Sequence, residues 1–159
     1  MPARTRALAR RFGAILVLTF AISGCLQPPP SSADDPLASL LCDIAAQASL
    51  IPTELRNALD AAQSGDQLTA ASHAKKARTA AQELLRLNGD PSVASDTELV
   101  RALSTLALFG DQAGFLFEGG VPSTSAREEL ERSLSLLDSP IAVLRNRLEA
   151  HSVANCWEP

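Results

Sequence analysis

The side chains of this sequence that could do chemistry are few and widely spaced: two histidines, three cysteines and several neighbouring carboxylates. On a helical wheel His73 lies beside a row of alanines and His151 falls three residues after Leu148, so each is expected at the edge of a packed face rather than as a base or ligand. No two cysteines stand at the short spacing of a zinc finger or ribbon, so no metal centre is expected. Asp34-Asp35 and Glu128-Glu129 with Glu131 are the paired carboxylates. The first pair falls in a polar stretch, and the second group opens a helix, where acidic side chains favour the positive end of the dipole. Solvation and capping therefore account for them better than acid-base catalysis does. No serine sits in a glycine-flanked elbow and no glycine-rich phosphate loop is present. The chain is accordingly read as a non-enzyme without a cofactor.

One group is less bland. Phe109, Phe115 and Phe117 lie within nine residues of one another beside Gly110 and Gly114, and with Trp157 they are the only aromatics after Phe20. Phe109 and Phe117 fall near an apolar seam, whereas Phe115 points away from it. Such a patch could bind an apolar ligand or a partner protein. The alternative is that the rings fill one end of a core thinned by alanine.

What positions these groups begins at the N-terminus. Arg4, Arg6, Arg10 and Arg11 precede an uncharged apolar run from Phe12 to Ile22, followed by Ser23, Gly24 and Cys25. That order is the n-region, h-region and small-residue cleavage site of a secretory signal. Ile22-Ser23-Gly24-Cys25 resembles the lipobox of bacterial lipoproteins. The resemblance implies that Cys25 becomes the first mature residue, carrying a diacylglycerol on sulfur and an acyl chain on its amine. Several chains anchor stably, because each buried methylene contributes about 0.8 kcal/mol and one chain holds only marginally. An uncleaved anchor helix is the competing reading, but Phe12 to Gly24 is only 13 residues, against roughly 20 needed to span the hydrocarbon. Arg10-Arg11 leaves a twin-arginine export signal as a weaker option. Leu26 is not the aspartate that marks inner-membrane retention in many diderm bacteria, so the resemblance favours the outer membrane, facing the periplasm, if the source is diderm.

Cutting before Cys25 removes four of the 14 basic residues and none of the 18 acidic ones, leaving a formal charge of −8. This argues against nucleic acid as a partner, whose binding rests on Lys and Arg, and against a polybasic hold on anionic lipid. With Cys25 assigned to lipid, Cys42 and Cys156 remain as a pair in an oxidising compartment and are expected as a disulfide. Two separate buried thiols are the alternative.

The chain is thus divided into a signal peptide at 1–24, a lipidated cysteine and disordered spacer at 25–36, and a helical domain at 37–159. The spacer carries Pro28, Pro29, Pro30, Ser31 and Ser32 and has little apolar surface to bury. Four apolar seams with alternating three- and four-residue spacing follow. The first runs from Leu37 to Ala62 and keeps phase across Pro52, and Ser64-Gly65 ends it. Asp66 caps the second, which is mostly alanine; Asp96 caps the third, with Gly110 and Gly114 weakening it by up to about 1 kcal/mol each. Ser125 with Glu128 makes a capping box for the fourth, which keeps phase through Pro140. A pair of Glu128 with Arg132 is expected on its surface.

The expected fold is all-α: an antiparallel four-helix bundle with helices one and four kinked at Pro52 and Pro140. Five or six shorter helices are the alternative. Gly65-Asp66 with Ala70, Ala74 and Ala77 also resembles one tetratricopeptide-type hairpin, without that family's large aromatics or its repetition. The function these features imply is a lipid-anchored cell-envelope protein, held to the membrane by its N-terminal lipid, with a structural or envelope-partner-binding helical module. A carrier or sensor of a small apolar ligand, with its cavity at Phe109, Phe115 and Phe117, is the alternative.

Overall fold

Local chemistry sets each helix boundary in the computed structural model, which describes residues 35–157. The signal, the lipobox with Cys25 and nearly all of the proposed spacer lie outside those residues. The described chain is all-α. It has five helices of 11 residues or more: α1 (Pro36–Gln63), α2 (Gln67–Asn88), α4 (Thr97–Phe115), α5 (Thr124–Leu134) and α6 (Asp138–Ala150). A single turn, α3 (Pro91–Ala94), lies between α2 and α4, one 3-10 turn (Ser135–Leu137) joins α5 to α6, and another (Ala154–Cys156) follows α6.

α1 starts one residue earlier than the seam implies, because Asp35 accepts the Leu37 N–H at 2.9 Å and Pro36 takes the first position, where no N–H is needed. Pro52 is buried inside α1 and the helix continues through it as one element. At the C-terminus Gly65 has φ +82°, the Asp66 N–H reaches the Ala61 carbonyl at 2.9 Å and the Gly65 N–H reaches Ala62 at 3.2 Å. That Schellman closure satisfies carbonyls the helix leaves open. Asp66 then caps α2, accepting the Thr69 N–H at 3.0 Å and its hydroxyl at 2.7 Å. Asp90 and Asp96 cap α3 and α4 in the same way.

α1 packs along α2, α2 along α4, and α4 on α6, which also touches α1. The core lies between them, with Leu41, Ile44, Ile51, Leu55, Leu84, Leu103, Leu106, Leu144 and Leu148 all sealed from solvent. On the α2 side the buried row is Ala70, Ala74, Ala77, Ala80 and Ala81. Gly110 and Gly114 face this row: a Cβ on Gly110 would meet Ile51 Cγ2 at 2.9 Å, and one on Gly114 would meet the Ala74 carbonyl oxygen at 2.9 Å. The glycines expected to weaken α4 therefore let it close on α2, and van der Waals contact offsets their poor helix propensity.

The fourth seam departs from expectation at two places. Ser123, not Ser125, is the N-cap of α5, accepting the Ala126 N–H at 3.3 Å. Ser123 and Ser125 both offer a capping hydroxyl, and the earlier cap adds helical residues. The seam is not one element kinked at Pro140. It breaks ahead of that residue: Ser135–Leu137 tightens into a 3-10 turn and Pro140 sits in the first turn of α6. A proline excludes the carbonyl four residues before it and disfavours α geometry at the residue preceding it, so the damage falls on the N-terminal side. Five helices with short connectors thus fit better than four uninterrupted ones.

After α6 the chain closes as α1 does, with the Val153 N–H on the Leu148 carbonyl at 2.8 Å, but Ser152 rather than glycine holds φ +59°. The next turn brings Cys156 to Cys42. The two are joined as a disulfide, with Cα atoms 5.1 Å apart across a separation of 114 positions. The pairing is the one expected from the cysteine count.

Candidate functional site

The three phenylalanines come to one end of the domain but face in three directions. α4 stops at Phe115, and the next residues turn on three-residue hydrogen bonds, from Phe117 N–H to Gly114 and from Glu118 N–H to Phe115. Phe117 lies in the core, 2% exposed, and Phe115 is 60% exposed, the directions the seam implies. Phe109 is half-buried and lines a 340 Å³ groove between α4 and α5, together with Ala113, Leu116, Ala126 and Leu130. A single three-ring patch is therefore not formed. Phe117 is structural, Phe109 is a groove wall, and Phe115 is a surface ring.

Phe115 is held by a cation. The Arg78 guanidinium lies 5.7 Å from its ring centroid, within the range of a cation–π contact. The same guanidinium donates to Asp111 Oδ1 at 3.1 Å and pairs with Glu118. Arg78 thereby ties α2 to both the body and the end of α4.

The outer side of α2 forms a surface that the sequence pattern did not single out. Leu68, Ala71, Lys75, Thr79 and Gln82 are all exposed along it, at three- and four-residue spacing. Grooves of 370 and 360 Å³ flank the helix, one shared with α4 and one with α1, and Lys75 and Thr79 line both. Lys75 and Lys76 are the chain's two lysines. Exposed apolar side chains border this strip: Leu50 on α1, Leu68 and Leu85 on α2, and Phe115 on α4. The signal for it was the polar stripe opposite the alanine seam, which reads as an ordinary solvated face.

His73 and His151 do lie at edges of packed faces, each half-buried against a carboxylate. His73 Nδ1 is 2.5 Å from Glu54 Oε2, whose other oxygen is 3.9 Å from Lys76 Nζ, and His151 Nδ1 is 3.6 Å from Asp35 Oδ2. Arg132 pairs with Glu129 at 2.7 Å and reaches only the backbone carbonyl of Glu128, in place of the expected Glu128 pair. Glu131 instead accepts from Gln63 on α1 at 2.8 Å.

Arg147 clamps α6 to the start of α4, with Nε 2.5 Å from Asp96 Oδ2 and a terminal nitrogen 3.1 Å from Glu98. The Arg147 hydrogen bond, and then the Leu99 N–H, hold the Asp96 carboxyl below the usual carboxylate range, while Asp96 raises Arg147 in turn. Trp157 is half-buried under the Arg145 guanidinium, 5.0 Å from the ring centroid. It lines a 430 Å³ groove between α1 and α6 that includes Pro52 and Ile141.

Among the described residues no group of three or more His, Cys, Asp or Glu side chains could hold a metal ion. No described helix is long and apolar enough to cross a membrane. The chain matches no protein-family model, no curated protein and no solved structure.

Proposed function

We propose that this chain is a lipid-anchored cell-envelope protein whose helical domain is a non-catalytic structural or partner-binding module. The anchoring half of the proposal rests on the lipobox-like Ile22-Ser23-Gly24-Cys25 and the basic, then apolar, segment before it. In this reading Cys25 carries the lipid, and if the source is diderm the domain faces the periplasm from the outer membrane. The domain acts as an antiparallel four-helix bundle, with α5 and α6 sharing the fourth position across their 3-10 joint.

The observation that carries the partner-binding half is Phe115, a large ring 60% exposed and steadied by Arg78. Rigid, exposed aromatics of this kind anchor protein interfaces. A photo-crosslinking residue at Phe115 should trap a specific envelope protein in cells, identified by mass spectrometry. Recovery of the chain alone would count against the proposal. Replacing Cys25 with Ser should abolish processing and release the protein from the membrane fraction, and normal processing would remove the anchor.

The Phe109 groove supports a second reading, a carrier or sensor of a small apolar molecule, because its 340 Å³ falls just inside the size of ligand sites. Saturable binding of a fluorescent fatty acid, abolished by Leu130→Trp, would favour the carrier.

A further inference from the structure

α2 carries four Lys or Arg residues and one carboxylate, in a chain that has 18 acidic residues against 14 basic ones. Its cations are not equally committed. Arg78 is spent on Asp111 and Glu118, and Arg86 is held by Glu83. Lys75 has no carboxylate within 4 Å among the described residues, and Lys76 has only the far oxygen of Glu54, a group already 2.5 Å from His73. Two adjacent, underpaired ammonium groups therefore stand on α2, Lys75 lining both grooves and Lys76 the one that Leu50 also lines, with Leu68 exposed on the same helix.

We propose that this face of α2, centred on Lys75 and Thr79, docks an acidic amphipathic segment of a partner protein. Carboxylates of such a segment meet Lys75 and Lys76, and its apolar side chains enter the grooves on either side of the helix. An anionic bilayer offers the same charge but would also meet the acidic remainder of the domain, which it repels. The inference deepens the partner-binding reading and rests on it, since Phe115 and Arg78 form the edge of the same face.

The two lysines make the face directly readable, because amine-reactive labelling of this chain reports on Lys75 and Lys76 once the N-terminus is set aside. The probe is a synthetic peptide of leucines and glutamates at helical spacing, added to the full chain. It should protect both lysines from labelling and bind on the order of tenfold more weakly to the Lys75→Glu, Lys76→Glu chain. Unchanged circular dichroism would show that the exposed substitutions leave the fold intact, and Lys→Arg versions should retain binding. The inference is overturned if the peptide leaves labelling unchanged or binds the charge-reversed chain equally. It is also overturned if phosphatidylglycerol vesicles protect the lysines where the peptide does not, or if self-association alone protects them. Cellular crosslinking from Phe115 separates the two levels: one protein captured from wild-type and charge-reversed chains alike would keep a partner and discard this face.

Discussion

Gly65 and Gly114 are glycines for different physical reasons, and substitution by alanine should separate them. At Gly65 nothing lies within 4 Å of an added Cβ, so Gly65→Ala meets only the left-handed φ of +82° and should cost about 1 kcal/mol. At Gly114 the backbone angle is helical, but the Cβ would press on the Ala74 carbonyl oxygen and the Arg78 side chain. Alanine at a free helical site gains up to about 1 kcal/mol over glycine; here the sign should reverse, with a loss of roughly 1–3 kcal/mol from overpacking. Urea denaturation of the two variants measures both, and a stabilised Gly114→Ala would refute the close approach of α2 and α4. The carboxylates give a pH dependence. Asp96 is lowered mainly by Arg147, Asp66 by Thr69 and Glu83 by Arg86. Because the folded values lie below the unfolded ones, the stability these groups supply is complete above about pH 5 and disappears as pH falls through the folded values. The urea midpoint should drop in that acid window, and Asp96→Asn should make the drop shallower while sparing most of the cap.

At the level of elements, the alternating three- and four-residue spacing made α1, α2 and α4 readable, because each seam is closed by a strong local signal: Asp66, Asp96, Ser64-Gly65. The fourth seam was harder. Phase survived Pro140, since a 3-10 turn followed by a fresh helix keeps leucines on one side, so the seam alone could not tell a kink from a break. Capping at Ser123 was hidden because three hydroxyl residues, Ser123, Thr124 and Ser125, stand in a row and the capping-box pattern favours the last. The two prolines should answer differently to alanine. Pro52→Ala returns an N–H to the middle of α1, where a proline costs about 3 kcal/mol, and should stabilise by whatever exceeds the loss of its buried ring. Pro140→Ala lies in a first turn, where no intrahelical donor is missing, and should shift stability by less than about 1 kcal/mol. Thermal melts of the pair check the contrast.

For the molecule as a whole, the all-α class could be read from the three- and four-residue periodicity, and the pairing of Cys42 with Cys156 from the cysteine count. The seam also placed Phe117 inward and Phe115 outward, as they are found, but not the groove that Phe109 lines, which depends on how α5 approaches α4. The α2 face was likewise invisible as a site, since exposed lysines in a stripe signal only solvation until grooves are seen on both sides. Reducing the disulfide should lower global stability by as much as about 4–5 kcal/mol in the chain-entropy limit, read from urea midpoints with and without reductant. A difference below about 1 kcal/mol would mean that the helices alone hold the ends together.

The same bond sets where mechanical load travels. If the chain is pulled between its N-terminal side and Trp157, tension enters at Asp35, crosses from Cys42 to Cys156 and leaves, so most of the polypeptide hangs slack in a side loop. Only chemical scission of that bridge would put the loop under tension, releasing 114 positions of chain at roughly 3.3–3.6 Å each. A single-molecule stretching trace should therefore be short and stiff under oxidising conditions and gain one long extension on adding thiol.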